Sequence, residues 1–579
     1  MDYKERTVDY LAETLELDKD ELRSYLEIPP QEDMGDFALP CFRYAKTFRT
    51  APQKIAEGFA EKLGELPDFI SEVRCSGAYL NLFLARGPYC REIVREALEE
   101  GEAFAASDQG EGQTVLVEFS SPNIAKPFHV GHAFSTFIGD VLSRMYDHLG
   151  YDVKRLNHLG DYGTQFGKLI VAYDRWGDED ALEASPIAEL LRIYVKFHKA
   201  AELEPELDDE ARARFKALED GREEEVALWK RFRELSLEEF NRIYKRLDVS
   251  FDSTKGEAFY SDKIPAVVKD LEEKGLLVDS DGAKVVMLEE EDIPPCIVLK
   301  SDGSTIYATR DLAAAIYRYE TYKFDKNIYV VGLPQSLHFK QVFAVLKKAG
   351  FDWADDCVHV GFGLVKFPPE ESGGITLSTR SGNVIYLEDL LDEAVAKTKA
   401  IIVENNKDRP DPMTDEEIDE TAAAIGLGAV RYTFLRSGRE RDIIFRWDEI
   451  LDFEGDSAPY MQYAYARAQS ILRRAGDSAP ERCDYEKLEL SSDSEFALCR
   501  EMDHIRNALE QAAEAYEPSI LARQTMSLCR AFSRFYNQMP ILQAEDERLR
   551  QSRLTLCRAF SSVLKTALGL LGIKTVERM

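Results

Sequence analysis

The chain has 579 residues, 45% of them hydrophobic and 31% charged, and its formal net charge at pH 7 is −33. This length exceeds what one hydrophobic core usually organises, so the sequence predicts three or four domains. The N-terminus lacks the apolar run of a signal peptide, and no apolar stretch is long enough to cross a bilayer. We therefore expect neither export nor membrane insertion.

Nine cysteines are scattered along the chain without paired spacing, which favours reduced thiols and a cytoplasmic location. The acidic balance argues against a nucleic-acid partner, but it is not uniform. Residues 456–579 hold 17 Lys and Arg against 17 Asp and Glu, so the first 455 residues carry the whole excess. A neutral, arginine-rich segment is compatible with a contact surface for nucleic acid, and equally with an ordinary solvated helical bundle.

Residues 1–105 are predicted to form a first unit. Its opening helix has an apolar face that includes Val8, Leu11 and Leu15, and residues 77–84 alternate as in a strand. The small and acidic stretch 101–113 is typical of a linker.

The second predicted unit, residues 106–455, alternates strands with amphipathic helices, which indicates an α/β fold with a doubly wound parallel sheet. Its predicted strands are 114–119, 151–156, 327–332 and 357–362. Residues 178–260 are rich in charge and helix formers and predict a helical insertion. Residues 456–579 read as helices only. In such sheets ligands bind beyond the carboxyl ends of the strands, so the loops there should converge on one site.

The loop 120–132 follows the first of these strands and leads into an amphipathic helix. It holds Pro, Gly, His129 and His132. Unpaired N–H groups and the helix dipole attract anions at such a helix N-terminus, so the loop predicts a phosphate site. The histidines could instead be ordinary turn residues or metal ligands. The nearest cysteines, Cys90 and Cys296, are distant and lack CxxC partners, which disfavours a zinc site.

Several motifs, in order along the chain, resemble the class I arginyl-tRNA synthetases. The 129–132 loop is similar to the first ATP-binding motif of class I aminoacyl-tRNA synthetases, and 119–126 resembles the arginyl enzymes in particular. Further matches in the same order are 157–167, 307–315, 332–339, 377–383 and 460–468. The resemblance implies a Rossmann-like catalytic domain, an α+β N-terminal added domain that binds tRNA, and an all-α anticodon-binding domain.

The implied reaction is ATP-dependent attachment of L-arginine to tRNA(Arg) in protein synthesis, through an arginyl-adenylate. In the first step a carboxylate attacks the α-phosphate, so positioning and charge stabilisation matter more than a protein nucleophile. ATP is expected to act as a substrate together with Mg²⁺. No protein-bound metal is expected, and the chain is expected to be a monomer.

The family match also assigns individual residues. The expected catalytic residues are His129, His132, Lys126 and Arg380. Those expected to bind ATP are His129, Gly131, His132, Gly332, His338, Val365 and Ser378. Those expected to bind arginine are Ser121, Pro122, Asn123, His132, Tyr307, Asp311 and Gln335. The candidate tRNA contacts are Arg467, Arg473, Arg474, Arg530, Arg534 and Arg558, although a charged helix face would explain any single one. Asp161 and Gln165 are expected, by position only, to line the same cleft.

A carboxylate is needed to match the planar guanidinium of arginine. Tyr307 and Asp311 are four residues apart, so on a helix they face the same way. From the residues alone, Asp311 would more simply be a helix N-cap or a surface partner of Arg310 or Arg318. The family match reverses that preference. For Gly332, a strand end alone would explain a glycine.

The second class I motif departs from the class pattern. Its usual form has two lysines around Met-Ser, whereas residues 376–380 contain no lysine. Many arginyl enzymes share this loss, and a lysine just ahead of the first motif is thought to substitute. Lys126, three residues before His129, matches that position. We expect it to place positive charge on the triphosphate, helped by Arg380; the alternative is a solvent-exposed loop lysine.

Two other functions stay open at this point. Glutamyl-, glutaminyl- and cysteinyl-tRNA synthetases share the fold, but Asp311 disfavours the first two and the scattered cysteines disfavour the third. A non-catalytic RNA-binding paralogue would be expected to have lost the pocket histidines. His129 and His132 are both present, although the missing lysines of the second motif keep this alternative in play.

Overall fold

The computed structural model describes residues 3–29, 31–367, 385–407, 409, 411–476, 484–544 and 546–579. The chain divides into two compact units. Unit 1 comprises Met1–Phe104, Ala468–His504 and Arg530–Val563. Unit 2 comprises Ala105–Arg467, Ile505–Cys529 and Leu564–Met579. Among the described residues, no helix combines the length and the apolar character needed to span a membrane.

The N-terminal part of unit 1 is an α+β structure. Its helices are α1 (Tyr3–Leu15), α2 (Lys19–Tyr25), α3 (Ala45–Phe48), α4 (Pro52–Leu63) and α5 (Arg86–Glu100). Its strands, β1 (Phe37–Pro40), β2 (Ile70–Ser76) and β3 (Tyr79–Leu84), form an antiparallel sheet in the order β1-β3-β2. The apolar face predicted for the first helix is correct, because Val8, Leu11 and Leu15 are buried in α1.

The described residues of unit 2 form two sheets of three or more strands and a two-stranded pair. Its strands are β4 (Thr114–Glu118), β5 (Asp152–Leu156), β6 (Leu277–Ser280), β7 (Ala283–Val286), β8 (Cys296–Leu299), β9 (Lys326–Gly332), β10 (Cys357–Phe362), β11 (Val365–Lys366) and β12 (Ile443–Ile444). Its helices before the C-terminal segment are α6 (Val130–His148), α7 (Thr164–Trp176), α8 (Glu179–Ala184), α9 (Pro186–Ala201), α10 (Glu206–Glu219), α11 (Glu223–Leu247), α12 (Glu257–Tyr260), α13 (Ile264–Glu273), α14 (Tyr307–Tyr322), α15 (Ser336–Lys348), α16 (Leu387–Asn406), α17 (Asp415–Leu435) and α18 (Trp447–Ile450).

The central sheet of unit 2 is parallel, with the strand order β10-β9-β4-β5. All four predicted strands are therefore confirmed. The chain begins this sheet at β4, places β5 on one side and then β9 and β10 on the other. The strand order thus reverses at β4, and the crevice beyond such a switch point is where ligands bind in open α/β sheets.

Helix α6 packs closely against the end of β4. Its apolar stripe, including Phe134, Phe137 and Val141, is fully buried, and each such side chain contributes about 1.5–3 kcal/mol to folding. Gly139 lies on the same face, where an added Cβ would come within 2.2 Å of the Phe119 side chain. The absence of a side chain at Gly139 therefore allows α6 to lie close to the end of β4.

Between β5 and β6 the chain forms α7–α13, and the predicted helical insertion 178–260 corresponds to α8–α12. The antiparallel sheet β6-β7-β8 that follows was not predicted. Each of its strands has only four residues, too few for an alternating pattern to stand out in a charged sequence.

The described residues beyond 456 form four α-helices and no strand, as predicted: α19 (Ala458–Ala475), α20 (Asp493–Glu514), α21 (Pro518–Gln538) and α22 (Glu547–Leu570). The boundary between the two units falls within each of these four helices. The division into domains 1–105, 106–455 and 456–579 stays a prediction, because compactness groups the residues differently.

Candidate functional site

The loop between β4 and α6 has an unusual backbone. Ser120, Ser121 and Ala125 have φ values of +69°, +45° and +59°, a region that side-chain-bearing residues rarely adopt. Such conformations cost about 1–3 kcal/mol each and cluster at functional sites, where the surrounding structure must hold them.

Hydroxyl groups hold this loop in place. The Ser120 Oγ lies 2.7 Å from the Tyr244 hydroxyl on α11, and its backbone N–H donates to Ser135 Oγ at 2.9 Å. Ser135 in turn donates to the Val330 carbonyl of β9 at 2.7 Å. The Ala125 N–H donates to Ser236 Oγ, also on α11, at 2.9 Å. The helical insertion and the central sheet thus together fix the loop.

The two histidines cap the N-terminus of α6. His129 is the N-cap residue, and its Nδ1 accepts the Gly131 N–H at 3.0 Å. His132 Nδ1 accepts the His129 N–H at 3.2 Å. The rings stack with their centroids 3.9 Å apart. Because each Nδ1 accepts a hydrogen bond, each neutral ring carries its proton on Nε2, which is left as a donor.

Burial and the nearby charge of Lys126 keep both rings neutral. They lower the pKa of His129 to about 4. For His132, burial is again the largest cause, followed by the repulsion that a second protonated ring at His129 and the Lys126 ammonium would exert, and its pKa lies well below the ordinary value. Gly131 is required beside them, because a Cβ there would lie 2.9 Å from His129 Cε1.

Lys126 is half-buried and is not a freely solvated loop lysine. Its Nζ lies 5.8 Å from the centroid of the Tyr194 ring on α9, within the range of a cation–π interaction. It is also close enough to His129 and His132 to lower the pKa of both. The alternative of a solvent-exposed lysine does not describe this position.

The part of the loop predicted to bind arginine pairs with the loop after β5. Gly160 N–H donates to the Pro122 carbonyl at 3.1 Å, and the Gly160 carbonyl accepts the Ile124 N–H at 3.2 Å. Asn123 lies against Gly160, where a Cβ would come within 2.3 Å of Asn123 Oδ1. Ser121 is half-buried beside them.

The prediction that Asp161 lines the cleft is wrong. Its side chain is buried, and the carboxylate accepts hydrogen bonds from Arg233 Nε at 3.0 Å and from the Ala258 N–H at 2.9 Å. Asp161 thus joins α11 to the first turn of α12, a structural role that its position in the sequence did not reveal. Gln165, on the first turn of α7, is half-buried.

The first turns of α14 and α15 bring together the other residues predicted to bind arginine. Tyr307 begins α14 and is 67% exposed. Asp311 lies one turn later, and its Oδ2 is 2.5 Å from His338 Nε2 on α15. Gln335 precedes α15 and is exposed. Asp311 is not an N-cap, because α14 begins four residues earlier.

Neither arginine considered as a partner for Asp311 pairs with it. Arg310 Nη1 lies 3.1 Å from Glu257 Oε2, and Arg318 Nη2 lies 2.5 Å from Glu118 Oε2 in a buried ion pair. Glu118 is the last residue of β4, so this pair lies at the carboxyl edge of the sheet.

Glu257 was not singled out from the sequence. Burial raises its pKa to about 7, Arg310 lowers it, and the charges of Asp311 and Asp161 raise it. A carboxyl group with a strongly shifted pKa, close to the carboxylate expected to bind the substrate guanidinium, is typical of functional sites. The sequence around Glu257 could not reveal this shift, because Arg310 and Asp311, which affect its pKa, belong to α14.

The predicted ATP residues lie at neighbouring strand ends. Gly332 ends β9, and an added Cβ there would meet nothing closer than 3.6 Å. Val365 pairs with Ile443 in the β11–β12 pair. Ser378 and Arg380 lie outside the described residues. The segment that follows them is docked on the histidine loop, because Val130 N–H donates to the Ile385 carbonyl and Leu387 N–H to the Phe128 carbonyl.

Among the predicted tRNA contacts, Arg467 lines a cavity of about 390 Å³ in unit 2. The cavity is also lined by Phe453, Tyr460, Tyr463 and Met579. The Arg467 guanidinium carbon lies 4.5 Å from the Tyr463 ring centroid. The other candidates belong to unit 1: Arg473, Arg474, Arg530 and Arg534 are exposed, and Arg558 is half-buried.

Three family models match successive parts of the chain. Residues 93–447 match "tRNA synthetases class I (R), catalytic domain", and residues 461–579 match "DALR anticodon binding domain". Residues 2–84 match "Arginyl tRNA synthetase N terminal domain". The catalytic model alone covers more than half of the chain.

Known proteins agree with these models along the whole length. The arginine–tRNA ligase of Clostridium beijerinckii is 53% identical over 579 residues, and that of Clostridium botulinum (strain Loch Maree) is 52% identical over 579 residues. Both alignments cover 100% of each chain. The structure of arginyl-tRNA synthetase from Thermus thermophilus superposes with a TM-score of 0.81 at 27% identity, again covering 100% of both chains. The chain therefore belongs to the class I arginyl-tRNA synthetases, the arginine–tRNA ligases.

Proposed function

We propose that the chain attaches L-arginine to tRNA(Arg) through an arginyl-adenylate at a site built on the 119–132 loop. The observation that carries this proposal is the pair of neutral histidines at the α6 N-terminus, at the switch point of the parallel sheet. Their Nε2–H groups are preorganised donors for the phosphate oxygens on which charge develops. They add to the unpaired N–H groups of the helix end.

Arginine is proposed to lie between the start of α14 and the loop after β4. Asp311 would receive the guanidinium, with Tyr307 and Gln335 beside it. Ser121, Pro122 and Asn123 would face the substrate's other end, near His132. A carboxylate that selects arginine must offer a fork geometry, which a lysine ammonium cannot match. The arginine carboxylate would then attack the α-phosphate, forming the acyl–phosphate bond and releasing pyrophosphate.

ATP is proposed to extend from the histidines toward Gly332, His338 and Val365. Gly332 supports this placement. Neither its φ nor the protein atoms around it require a glycine at this position, and close approach of a ligand to the backbone would explain why a glycine is present. Ser378 would contribute from the second motif.

Lys126 is proposed to supply the positive charge that the second motif lacks. Its proximity to both histidines supports this role. Tyr194 supports it further, because a cation held on a ring has less freedom to lose when ATP binds. Arg380, five residues before Ile385 in the sequence, would assist from the second motif.

Mg²⁺ is proposed to enter with ATP. Such sites hold Mg²⁺ largely through substrate phosphates and water, so a dedicated protein cage is not needed. Among the described residues, no group of three or more His, Cys, Asp or Glu has an arrangement that could hold a metal. The Mg²⁺ would neutralise charge on the phosphates that Lys126 and the histidines also face.

Residues 1–105 and 456–579 are proposed to bind tRNA, with 106–455 as the catalytic domain. The cavity beside Arg467 supports an anticodon contact, because aromatic side chains and a guanidinium stack on any nucleobase. The exposed Arg473, Arg474, Arg530 and Arg534, with Arg558, would contact the phosphate backbone. We also propose a monomer in the cytoplasm. The eight described cysteines are free thiols, which supports a reducing compartment.

The Asp311→Asn variant tests the proposed function. Loss of one partner of a hydrogen-bonded charge pair costs roughly 2–5 kcal/mol, so arginine-dependent pyrophosphate exchange should fall by about 30-fold to several-thousand-fold. ATP binding, measured by equilibrium dialysis, should be retained, with an affinity no weaker than that of the unmodified chain. Glu320→Gln, an exposed carboxylate on the same helix, is the matched control. Unchanged arginine activation in Asp311→Asn would contradict the assignment.

A further inference from the structure

The contact between Asp311 and His338 joins two side chains for which different substrates are proposed. Asp311 Oδ2 and His338 Nε2 are 2.5 Å apart, and each side chain is about one-fifth exposed, 22% and 23% respectively. The two residues lie on different helices, α14 and α15, each within two turns of its N-terminus. The arrangement is therefore a direct link between the arginine and ATP subsites.

Other cations of α14 leave this contact undisturbed. Arg310 is engaged by Glu257, and Arg318 is engaged by Glu118 at the end of β4. The histidine thus occupies a carboxylate oxygen that neither arginine uses. A substrate guanidinium that binds a carboxylate through two parallel N–H donors needs both of its oxygens. One of those oxygens is already taken.

We infer that His338 acts as a stand-in for the substrate on Asp311 and is displaced when arginine binds. This inference rests on the proposed function. The displaced ring lies at the start of α15, six residues after Gly332, and is then available to the nucleotide. Arginine binding thereby prepares the ATP subsite, and the two substrates bind with positive coupling.

The competition has a defined thermodynamic consequence. When a site is competent only in the fraction of molecules whose Asp311 is released, the apparent dissociation constant is the intrinsic constant divided by that fraction. A hydrogen bond to a charged group is strong enough that Asp311 would be free of His338 in roughly one molecule in ten. Removing His338 should therefore strengthen arginine binding by about tenfold.

Calorimetric titration of arginine in the absence of ATP tests this inference. His338→Ala should bind arginine about tenfold more tightly than the unmodified chain, whereas His338→Gln, which keeps an N–H donor, should lie between the two. Lys340→Ala, an exposed residue on the same turn of α15, is the control and should match the unmodified chain.

Repeating the titration with saturating α,β-methylene-ATP, which cannot form an adenylate, tests the coupling. The ATP analogue should increase arginine affinity in the unmodified chain, and in His338→Ala this increase should disappear. By thermodynamic reciprocity, arginine should strengthen analogue binding by the same factor.

Failure of this inference is distinguishable from failure of the proposed function. If Asp311→Asn abolishes arginine binding but His338→Ala leaves it unchanged or weaker, the stand-in role is wrong and the arginine site stands. If Asp311→Asn leaves arginine affinity unchanged, the proposed arginine site itself is wrong, and the inference falls with it.

Discussion

Arginine binding is predicted to release a proton from Glu257. In the free protein, the pKa of Glu257 is raised to about 7. Burial is the largest cause, and the charges of Asp311 and Asp161 add to it, whereas Arg310 lowers the pKa. A guanidinium placed on Asp311 offsets the negative charge of that carboxylate, which in the free protein raises the pKa of Glu257. The pKa of Glu257 must then fall, so arginine binds preferentially to the ionised carboxylate.

The magnitude follows from linkage. With a pKa of about 7 in the free protein and a lower pKa in the complex, at most about half a proton is released for each arginine bound at pH 7. The dissociation constant should fall between pH 6 and pH 8, by at most about tenfold, and become level above that range. The sign is fixed: binding tightens as pH rises.

Calorimetric titration in buffers of different ionisation enthalpy measures both quantities. Glu257→Gln cannot ionise, so the pH dependence and the proton release should both disappear in this variant. Equal dissociation constants at pH 6 and pH 8 in the unmodified chain would refute the reasoning. A pH dependence that survives in Glu257→Gln would assign the proton to another group.

Three further predictions concern folding and the ATP subsite. Gly332→Ala should leave the thermal midpoint of unfolding unchanged, because the new methyl group meets nothing closer than 3.6 Å. The same variant should raise the KM for ATP, and an unchanged KM would contradict the placement of the nucleotide. Tyr194→Leu should lower pyrophosphate exchange by about two- to fivefold, and should add nothing in a Lys126→Ala background; independent, additive losses would contradict the link between them. Asp140→Asn should lower the free energy of unfolding by about 3–5 kcal/mol, because buried Arg431 then loses its counter-charge. Arg431→Met should cost less, since Arg144 still pairs with Asp140 at 2.8 Å, and urea unfolding that ranks the two variants in the opposite order would refute this.

The sheet and its first helix could be predicted because their sequence signals are local. Residues 115–118 form an unbroken buried run, and α6 carries a continuous apolar stripe from Phe134 onward. The position of the phosphate loop follows from these two elements. Its strained backbone does not, because the positive φ values of Ser120 and Ser121 are held by Tyr244 and Ser135, which come from other elements.

The finer features of the site depend on contacts between distant residues. Sequence spacing placed Tyr307 and Asp311 on one helix face, but it could not show that His338 occupies the carboxylate. It also placed Asp161 near the motif without showing that Arg233 engages its carboxylate in the interior. The raised pKa of Glu257 depends on burial and on charges more than 50 residues away. Such features arise from packing and carry no local pattern.

The central claim is that this site activates arginine. Pyrophosphate exchange with each amino acid, measured with and without tRNA, tests it most directly. The account predicts exchange with arginine in the presence of tRNA, none with lysine, glutamate, glutamine or cysteine, and loss of the arginine signal in Asp311→Asn. Exchange with one of those other amino acids, or no exchange with any amino acid, would contradict the account.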